Sequence, residues 1–476
     1  MKNSRFVAGA VASFLLTMVP HLGTAQEDAG PPPILFTNVN VFDGFNPELI
    51  MDANVLVEGN VITQVSTDPI DADGAFVVDG TGKTMTPGLV DMHTHIMFET
   101  PEGTNSYQDE WDFGGGGAMA AQAIRENYLM RGITTIRDIA GNSRGVARAV
   151  QRGLLIAPRV YTSGGVLSHT GGHGDWGDRN DLTANDYGEI VQNSFKVDSR
   201  DDVIKASRRN YRNGAHFTKL MAGGGVASRF DPLEISAATQ EEVEAAVEIA
   251  ENYGTYVAVH AYHDTSYQRA LDAGVRSFEH GFLVSEDIVK QMAAKGEEVV
   301  WSFQCYMSIN SFGSYETMPD FFTHEQKLKG VAVGEGARNA AKMMLENDVF
   351  MIGGADMFGP GLSEIAKEDI TCKVNEAGYP SAHVWKMHTG NAGKVLKWSG
   401  PLDPYPTYAI GTIAPDSYAD ILIWDGNPVE NIDMILDESK LQLVMKDGRA
   451  YKNTLVEADS IMYRPGTTKA SIMQFQ

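Results

Sequence analysis

Six residues that can contribute to a metal site stand at the ends of apolar, β-like segments. In chain order they are His93, His95, Lys219, His260, His280 and Asp356. Neutral imidazole nitrogen and carboxylate oxygen are typical zinc ligands. Because side chains two apart in a strand point the same way, one strand can present both His93 and His95 to one metal. An isolated His-x-His pair is weak evidence, but the later residues make a metal site the favoured interpretation.

The elements that must position these residues alternate between strand and helix. Eight β-like segments are predicted, the first from Leu89 and the others at 133–139, 159–163, 216–221, 256–259, 276–278, 299–303 and 349–352. Eight such units predict an α/β fold, a TIM (β/α)8 barrel over residues 89–398. Chemistry in that fold collects at the carboxyl ends of the strands, where all six candidates fall.

Helix signals between the strands support this alternation. Thr239 and Glu242 have capping-box spacing, and Gly254 should end that helix. Ser285 and Gly296 should bound the next helix, and a further helix is expected from about 333 to 346.

The segments on either side of the predicted barrel are rich in short strands separated by turn residues. Strand-like runs occur at 34–42, 54–65, 75–78, 419–424 and 441–444. The sequence therefore predicts one small β-sandwich domain built from residues 34–88 and from residues 399–476, the latter including a tail.

The first 25 residues read as a signal peptide. Lys2 and Arg5 precede an apolar run at 6–20, and small residues at 23–25 suit cleavage after Ala25. An uncleaved anchor is the alternative, although the apolar run is short for a membrane span. We expect an exported, periplasmic protein with a flexible leader at 26–33. No later segment is apolar enough to predict a stable membrane anchor.

Composition limits the classes of partner. A formal charge of −24 argues against nucleic acid, whose phosphates need a basic surface. The acidity fits solubility, or the steering of cationic substrates. The two cysteines, Cys305 and Cys372, do not form a disulfide scaffold, and the sequence leaves open whether they are bonded. It also leaves homo-oligomerisation open.

Several stretches together resemble the amidohydrolase superfamily. They are PGLVDMHTH at 87–95, GITTIRD at 132–138, FTKLMAGGG at 217–225, VH at 259–260, FEHG at 278–281, GGAD at 353–356 and GTIAPDSYAD at 411–420. The chain is most similar to the group that holds Xaa-Pro dipeptidase-like and arginine or lysine carboxypeptidase-like enzymes and ochratoxinase.

The resemblance implies a cofactor of two divalent metal ions, with zinc expected. In the family, residues matching His93, His95 and Asp356 bind one ion, and those matching His260 and His280 bind the other. The lysine matching Lys219 is carboxylated and bridges both ions. An ammonium has no lone pair to offer a cation, whereas a carbamate supplies anionic oxygen.

The expected function is hydrolysis of an amide bond in a dipeptide or N-acyl amino acid. Metal-activated hydroxide would attack the carbonyl, with Asp356 as general acid/base. His169, His173, Tyr262 and His263 are candidates for binding the substrate. The same site acting on a cyclic amide, a lactone or an organophosphate is the alternative. A non-enzymatic protein that binds metal or ligand is a third, less favoured reading.

Overall fold

The computed structural model describes residues 32–98, 110–177, 180, 187–318, 320, 322–357, 365–455 and 461–462. The predicted signal peptide and most of the predicted leader lie outside these residues. Within the described part, no helix combines the length and apolar character that crossing a membrane requires.

Parallel strands and helices alternate through the middle of the chain. The strands are β6 (Leu89–Thr94), β7 (Ile133–Asp138), β8 (Arg159–Thr162), β9 (Val166–Ser168), β10 (Ser194–Lys196), β11 (Thr218–Met221), β12 (Val257–Ala261), β13 (Ser277–His280), β14 (Val300–Phe303) and β15 (Met351–Gly353). They form two parallel sheets, ordered β6-β7-β8 and β10-β9-β11-β12-β13-β14-β15. This is a TIM-barrel-like α/β fold.

Every one of the eight predicted strands has a counterpart, and β9 and β10 are additions that the sequence did not predict. Hydrogen bonds also join the two sheets. The amide of His216 donates to the carbonyl of Thr162 (2.8 Å), and the amide of Asp356 donates to the carbonyl of His93 (2.8 Å). A closed eight-stranded barrel stays a prediction.

Eleven α-helices are assigned among the described residues. They are α1 (Glu110–Asn127), α2 (Arg144–Gln151), α3 (Tyr187–Ile190), α4 (Arg200–Arg212), α5 (Gln240–Asn252), α6 (Asp264–Ala273), α7 (Glu286–Lys295), α8 (His324–Glu346), α9 (Ala366–Asn375), α10 (Ser381–Met387) and α11 (Gly390–Leu396). Short 3-10 segments add Ile96–Phe98, Leu129–Arg131, Gly296–Glu298, Lys397–Leu402 and Ile432–Leu436, and Tyr306–Ser311 is π-helical.

The capping predictions hold at two helices, and a start prediction fails at a third. Thr239 and Glu242 form the predicted capping box of α5, and α7 lies between Ser285 and Gly296. The predicted start near residue 333 is wrong, because α8 begins at His324. Thr323 forms a capping box there, in which its side chain accepts from the amide of Gln326.

The strands from the two ends of the chain lie in one nine-stranded sheet. They are β1 (Ile34–Val41), β2 (Ile50–Glu58), β3 (Val61–Ser66), β4 (Phe76–Asp79), β5 (Thr84–Pro87), β16 (Ser417–Tyr418), β17 (Ile421–Trp424), β18 (Leu441–Lys446) and β19 (Arg449–Asn453). The order is β16-β3-β2-β1-β5-β17-β18-β19, with β4 beside β1. The two ends therefore form one unit, as predicted, and its folding into the two packed layers of a sandwich stays a prediction.

The C-terminal part of this sheet is buried on both faces. In β17, Ile421 and Ile423 join the core between the terminal strands, whereas Leu422 and Trp424 join the core around the parallel strands. Such alternation follows from the two-residue period of a strand. The sheet thereby anchors the first parallel strand, since β5 pairs with β17 and β6 begins two residues after β5 ends.

Candidate metal centre

The structure places the six candidates on one edge of the parallel strands. His93 lies near the end of β6 and His95 directly after it, while Lys219, His260 and His280 lie within β11, β12 and β13. Asp356 follows β15 by three residues. The carboxyl ends of parallel strands meet at one edge, so residues far apart in sequence come together there.

His93, His95 and Asp356 form a compact first ligand group. His95 Nε2 lies 2.9 Å from Asp356 Oδ1, and His93 Nε2 lies 3.3 Å from the same oxygen. One ligand atom from each residue lies within 4.8 Å of the others. Two imidazoles and a carboxylate at this spacing match the donor set that zinc prefers, so the residues present fit a divalent ion.

The surroundings of His93 and Asp356 favour the forms of these two residues that can bind a metal. Burial lowers the pKa of His93 to about 4, against the opposing effects of Asp356 and Glu279. Burial alone would raise the pKa of the Asp356 carboxyl, but His93 and the hydrogen bond with His95 bring it below its ordinary value. A neutral imidazole and an ionised carboxylate both have lone pairs to donate.

His260 and His280, the candidates for binding a second ion, lie beside the first group and are called the second ligand group. Their ring centroids are 4.5 Å apart, and His280 lies 5.1 Å from the ring of His93. His280 Nδ1 is 3.9 Å from Asp356 Oδ2, so Asp356 faces both groups. His260 Nε2 donates to the carbonyl of Gly224 (3.0 Å), which leaves Nδ1 as the nitrogen with a lone pair.

Lys219 is buried on the strand next to the second ligand group. In the β11–β12 register, Lys219 stands opposite Ala258, and Met221 stands opposite His260. Burial lowers the pKa of the Lys219 amine to about 8, whereas Glu279 and Asp356 raise it. The Lys219 amine therefore lies close enough to Glu279 and Asp356 to interact with their charges.

Two of the four predicted substrate residues contact the second ligand group. His173 stacks on His260 with ring centroids 4.1 Å apart, and Tyr262 stacks on His280 at 5.3 Å. Within the described part of the chain, His169 and His263 make no ring contact or hydrogen bond with the six candidates. His263 instead lies at the N-cap of α6.

Sequence reasoning missed several buried polar residues that surround the first ligand group. Glu279 Oε2 accepts from His93 Nδ1 (2.8 Å), and Arg137 Nη2 donates to Glu279 Oε1 (2.7 Å). Asp91 accepts from the amides of His93 (3.0 Å) and Ala355 (3.1 Å). A charged residue within or next to a predicted apolar strand was the available signal: Arg137 lies inside the predicted strand at 133–139, and Glu279 directly follows the one at 276–278.

The backbone is strained at two of the site residues. His280 has a φ of 68° and Asp356 a φ of 54°. Residues other than glycine rarely adopt this left-handed conformation, and such strain clusters at functional sites. At His280 it breaks the strand alternation, so Glu279 and His280 can both serve the same site.

A disulfide ties the segment after β14 to α9. It joins Cys305 and Cys372, whose Cα atoms are 5.8 Å apart. Gln304, the neighbour of Cys305, places its side-chain amide nitrogen 3.1 Å from His93 Nδ1. This answers the question that the sequence left open about the two cysteines.

Comparisons with known proteins agree with this geometry. The model of the Amidohydrolase family matches residues 84–451. An ochratoxinase from Aspergillus niger is 27% identical over 391 residues, which are 77% of this chain and 75% of the relative. A crystal structure of an amidohydrolase has a TM-score of 0.78 and 30% identity, covering 89% of this chain and 100% of the other. A prolidase complexed with N-methylphosphonate-L-proline has a TM-score of 0.76 and 29% identity, with the same coverage of 89% and 100%.

Proposed function

The chain belongs to the amidohydrolase family, and the relatives described above include an ochratoxinase and a prolidase. We propose that it is an exported, binuclear, zinc-dependent amidohydrolase. It cleaves an amide bond in a dipeptide or an N-acyl amino acid. The observation that carries the proposal is the convergence of His93, His95 and Asp356, with ligand atoms within 4.8 Å of one another.

The six candidates divide the binding of the two ions in this proposal. The first ligand group would hold one divalent ion and the second ligand group would hold the other. Lys219, its neutral amine carboxylated by CO₂ with loss of a proton, would supply an anionic ligand to both. When bound, the ions supply an activated water and polarise the carbonyl of the substrate.

Asp356 carries the proton. Its two carboxylate oxygens face different ligand groups, with Oδ1 at 2.9 Å from His95 Nε2 and Oδ2 at 3.9 Å from His280 Nδ1. A carboxylate in this position can accept a proton on the side of the nucleophile and deliver it to the leaving amine.

We further propose that the substrate carries a free carboxylate next to the scissile bond. The prolidase relative binds a phosphonate derivative of L-proline, and proline presents a carboxylate next to its ring nitrogen. Tyr262 and His173, which pack against the second ligand group, offer hydrogen-bond donors beside the candidate metal ligands. His169 and His263 stay candidates for contacts made further out.

A paired substrate test addresses this proposal. Zinc-loaded protein is assayed on a panel of dipeptides and N-acyl amino acids, and the best substrate is then compared with its C-terminal amide. We expect hydrolysis of the acid and a much lower kcat/KM for the amide. Equal values would remove the carboxylate requirement. Rapid hydrolysis of lactones or phosphotriesters, with no dipeptide cleaved, would contradict the proposed substrate class.

A further inference from the structure

A buried ion pair links the two parallel sheets beneath the candidate ligands. Arg137 lies on β7 and Glu279 on β13, and both side chains are 0% exposed. Arg137 Nη2 donates to Glu279 Oε1 at 2.7 Å. Because β7 and β13 belong to different sheets, this contact connects the two sheets through their side chains.

The remaining polar atoms of the pair are also satisfied. Arg137 Nε donates to the carbonyl of Met92 (2.6 Å), and Nη1 donates to Ser277 Oγ (2.9 Å). Ser277 Oγ donates in turn to Glu279 Oε1 (2.8 Å). Oxygen Oε1 is thereby fully used by Arg137 and Ser277, and Oε2 is left for a different partner.

That partner is His93. Its Nδ1 donates to Glu279 Oε2 at 2.8 Å, and its Nε2 faces Asp356 Oδ1 at 3.3 Å. We propose that Glu279, held by Arg137, is a positioning residue that fixes the tautomer and orientation of His93 so that Nε2 offers its lone pair to the metal. This inference rests on the proposed function, because it assigns the metal to the first ligand group.

A carboxylate that accepts a hydrogen bond from one ring nitrogen of a histidine makes the other nitrogen a stronger metal ligand. His260 lacks this support, since its Nε2 donates to the backbone carbonyl of Gly224. The two ligand groups are therefore unequal, and the first group should bind its ion more tightly than the second. A buried ion pair adds little net stability compared with apolar packing, which fits an orienting role for this one.

The test compares Glu279→Gln with a matched control, Asp420→Asn. Asp420 also forms a buried ion pair with an arginine, Arg159 (3.0 Å), but this pair joins the nine-stranded sheet to β8. The affinity of metal-free protein for zinc is measured by competition with a chromophoric chelator, and thermal unfolding of the same samples is recorded. Loss of such support typically lowers metal affinity about 10- to 100-fold.

We expect Glu279→Gln to weaken the tighter zinc equivalent by this factor, and Asp420→Asn to leave it unchanged while lowering Tm. The double variant Arg137→Met/Glu279→Gln removes the unpaired buried cation, so it provides the measurement if the single variant does not fold. It should retain the weakened affinity.

Wild-type affinity in Glu279→Gln or in the double variant would overturn the inference, as would an equal loss in Asp420→Asn. Failure of the proposed function is a separate result. In that case wild-type protein binds zinc, and Glu279→Gln still weakens the binding, but no amide is hydrolysed.

Discussion

The two ligand groups of the candidate metal centre are built by different means. Ionised side chains position the first group. His93 and His95 face one oxygen of Asp356, and Glu279 accepts a hydrogen bond from the other ring nitrogen of His93. The second group relies on ring stacking and the backbone, with His260 against His173 and bonded to the carbonyl of Gly224. The first group is thus preorganised by side chains within hydrogen-bond distance, whereas the second would depend on the anionic bridge proposed at Lys219.

Removal of that bridge should give the largest effect. Lys219→Ala should abolish most of the activity and at least one metal equivalent, because the second ligand group then offers only two imidazoles. Metal content of the purified variant and its turnover of the best substrate are the measurements. Added short carboxylates should partly restore activity. Two retained metals with near-normal turnover would rule out the bridging role of Lys219.

Asp356→Asn should lower the rate more than the metal content. The carboxamide keeps an oxygen that can bind metal, but it cannot accept the proton. Loss of a general acid/base typically costs about 10² to 10⁴ in rate. Steady-state kinetics on metal-loaded variant protein test this. A kcat within a few-fold of wild type would assign the proton transfer to another residue.

His173→Ala tests the stacking support of the second ligand group. The ring of His173 lies 4.1 Å from that of His260, and its Nδ1 is 2.8 Å from Ser228 Oγ. Its loss should weaken the looser zinc equivalent about tenfold, at the low end for supporting contacts, without changing the tighter one. The control is His263→Ala, which removes a ring that contacts neither group. Equal effects of the two variants on zinc affinity would show that the stacking has no such role.

A substitution in the nine-stranded sheet should have the smallest effect on zinc binding. Ile423 is fully buried in the core between strands from both ends of the chain. Ile423→Ala should lower the free energy of unfolding by about 2 to 5 kcal/mol and leave both zinc affinities as in wild type at temperatures well below Tm. Chemical denaturation and chelator competition check the two parts. A weakened metal site at full folding would show that the sheet shapes the centre directly.

The sequence predicted those features that depend on local pattern. The eight parallel strands that carry or flank the site, and the capping box at Thr239, follow from apolar periodicity and capping chemistry. The placement of the six candidates along one edge of the parallel strands followed from their common position at strand ends. The pairing of both chain ends in one sheet was also expected, because both ends carry short strands separated by turn residues.

The missed features depend on tertiary context. In a regular strand Glu279 and His280 would point to opposite faces, and only the left-handed backbone at His280 allows both to serve the site. Strands β9 and β10 have three residues each, too few for a periodic signal. The start of α8 was misplaced because the capping box at Thr323 and Gln326 was not recognised.

The most direct test of the central claim is a titration of metal-free protein with zinc in which bound metal and amide hydrolysis are followed together. We expect two bound equivalents of unequal affinity, and hydrolysis of a dipeptide or N-acyl amino acid that appears as the second equivalent binds. Binding of the two equivalents without any hydrolysis, or hydrolysis that persists in metal-free protein, would contradict it.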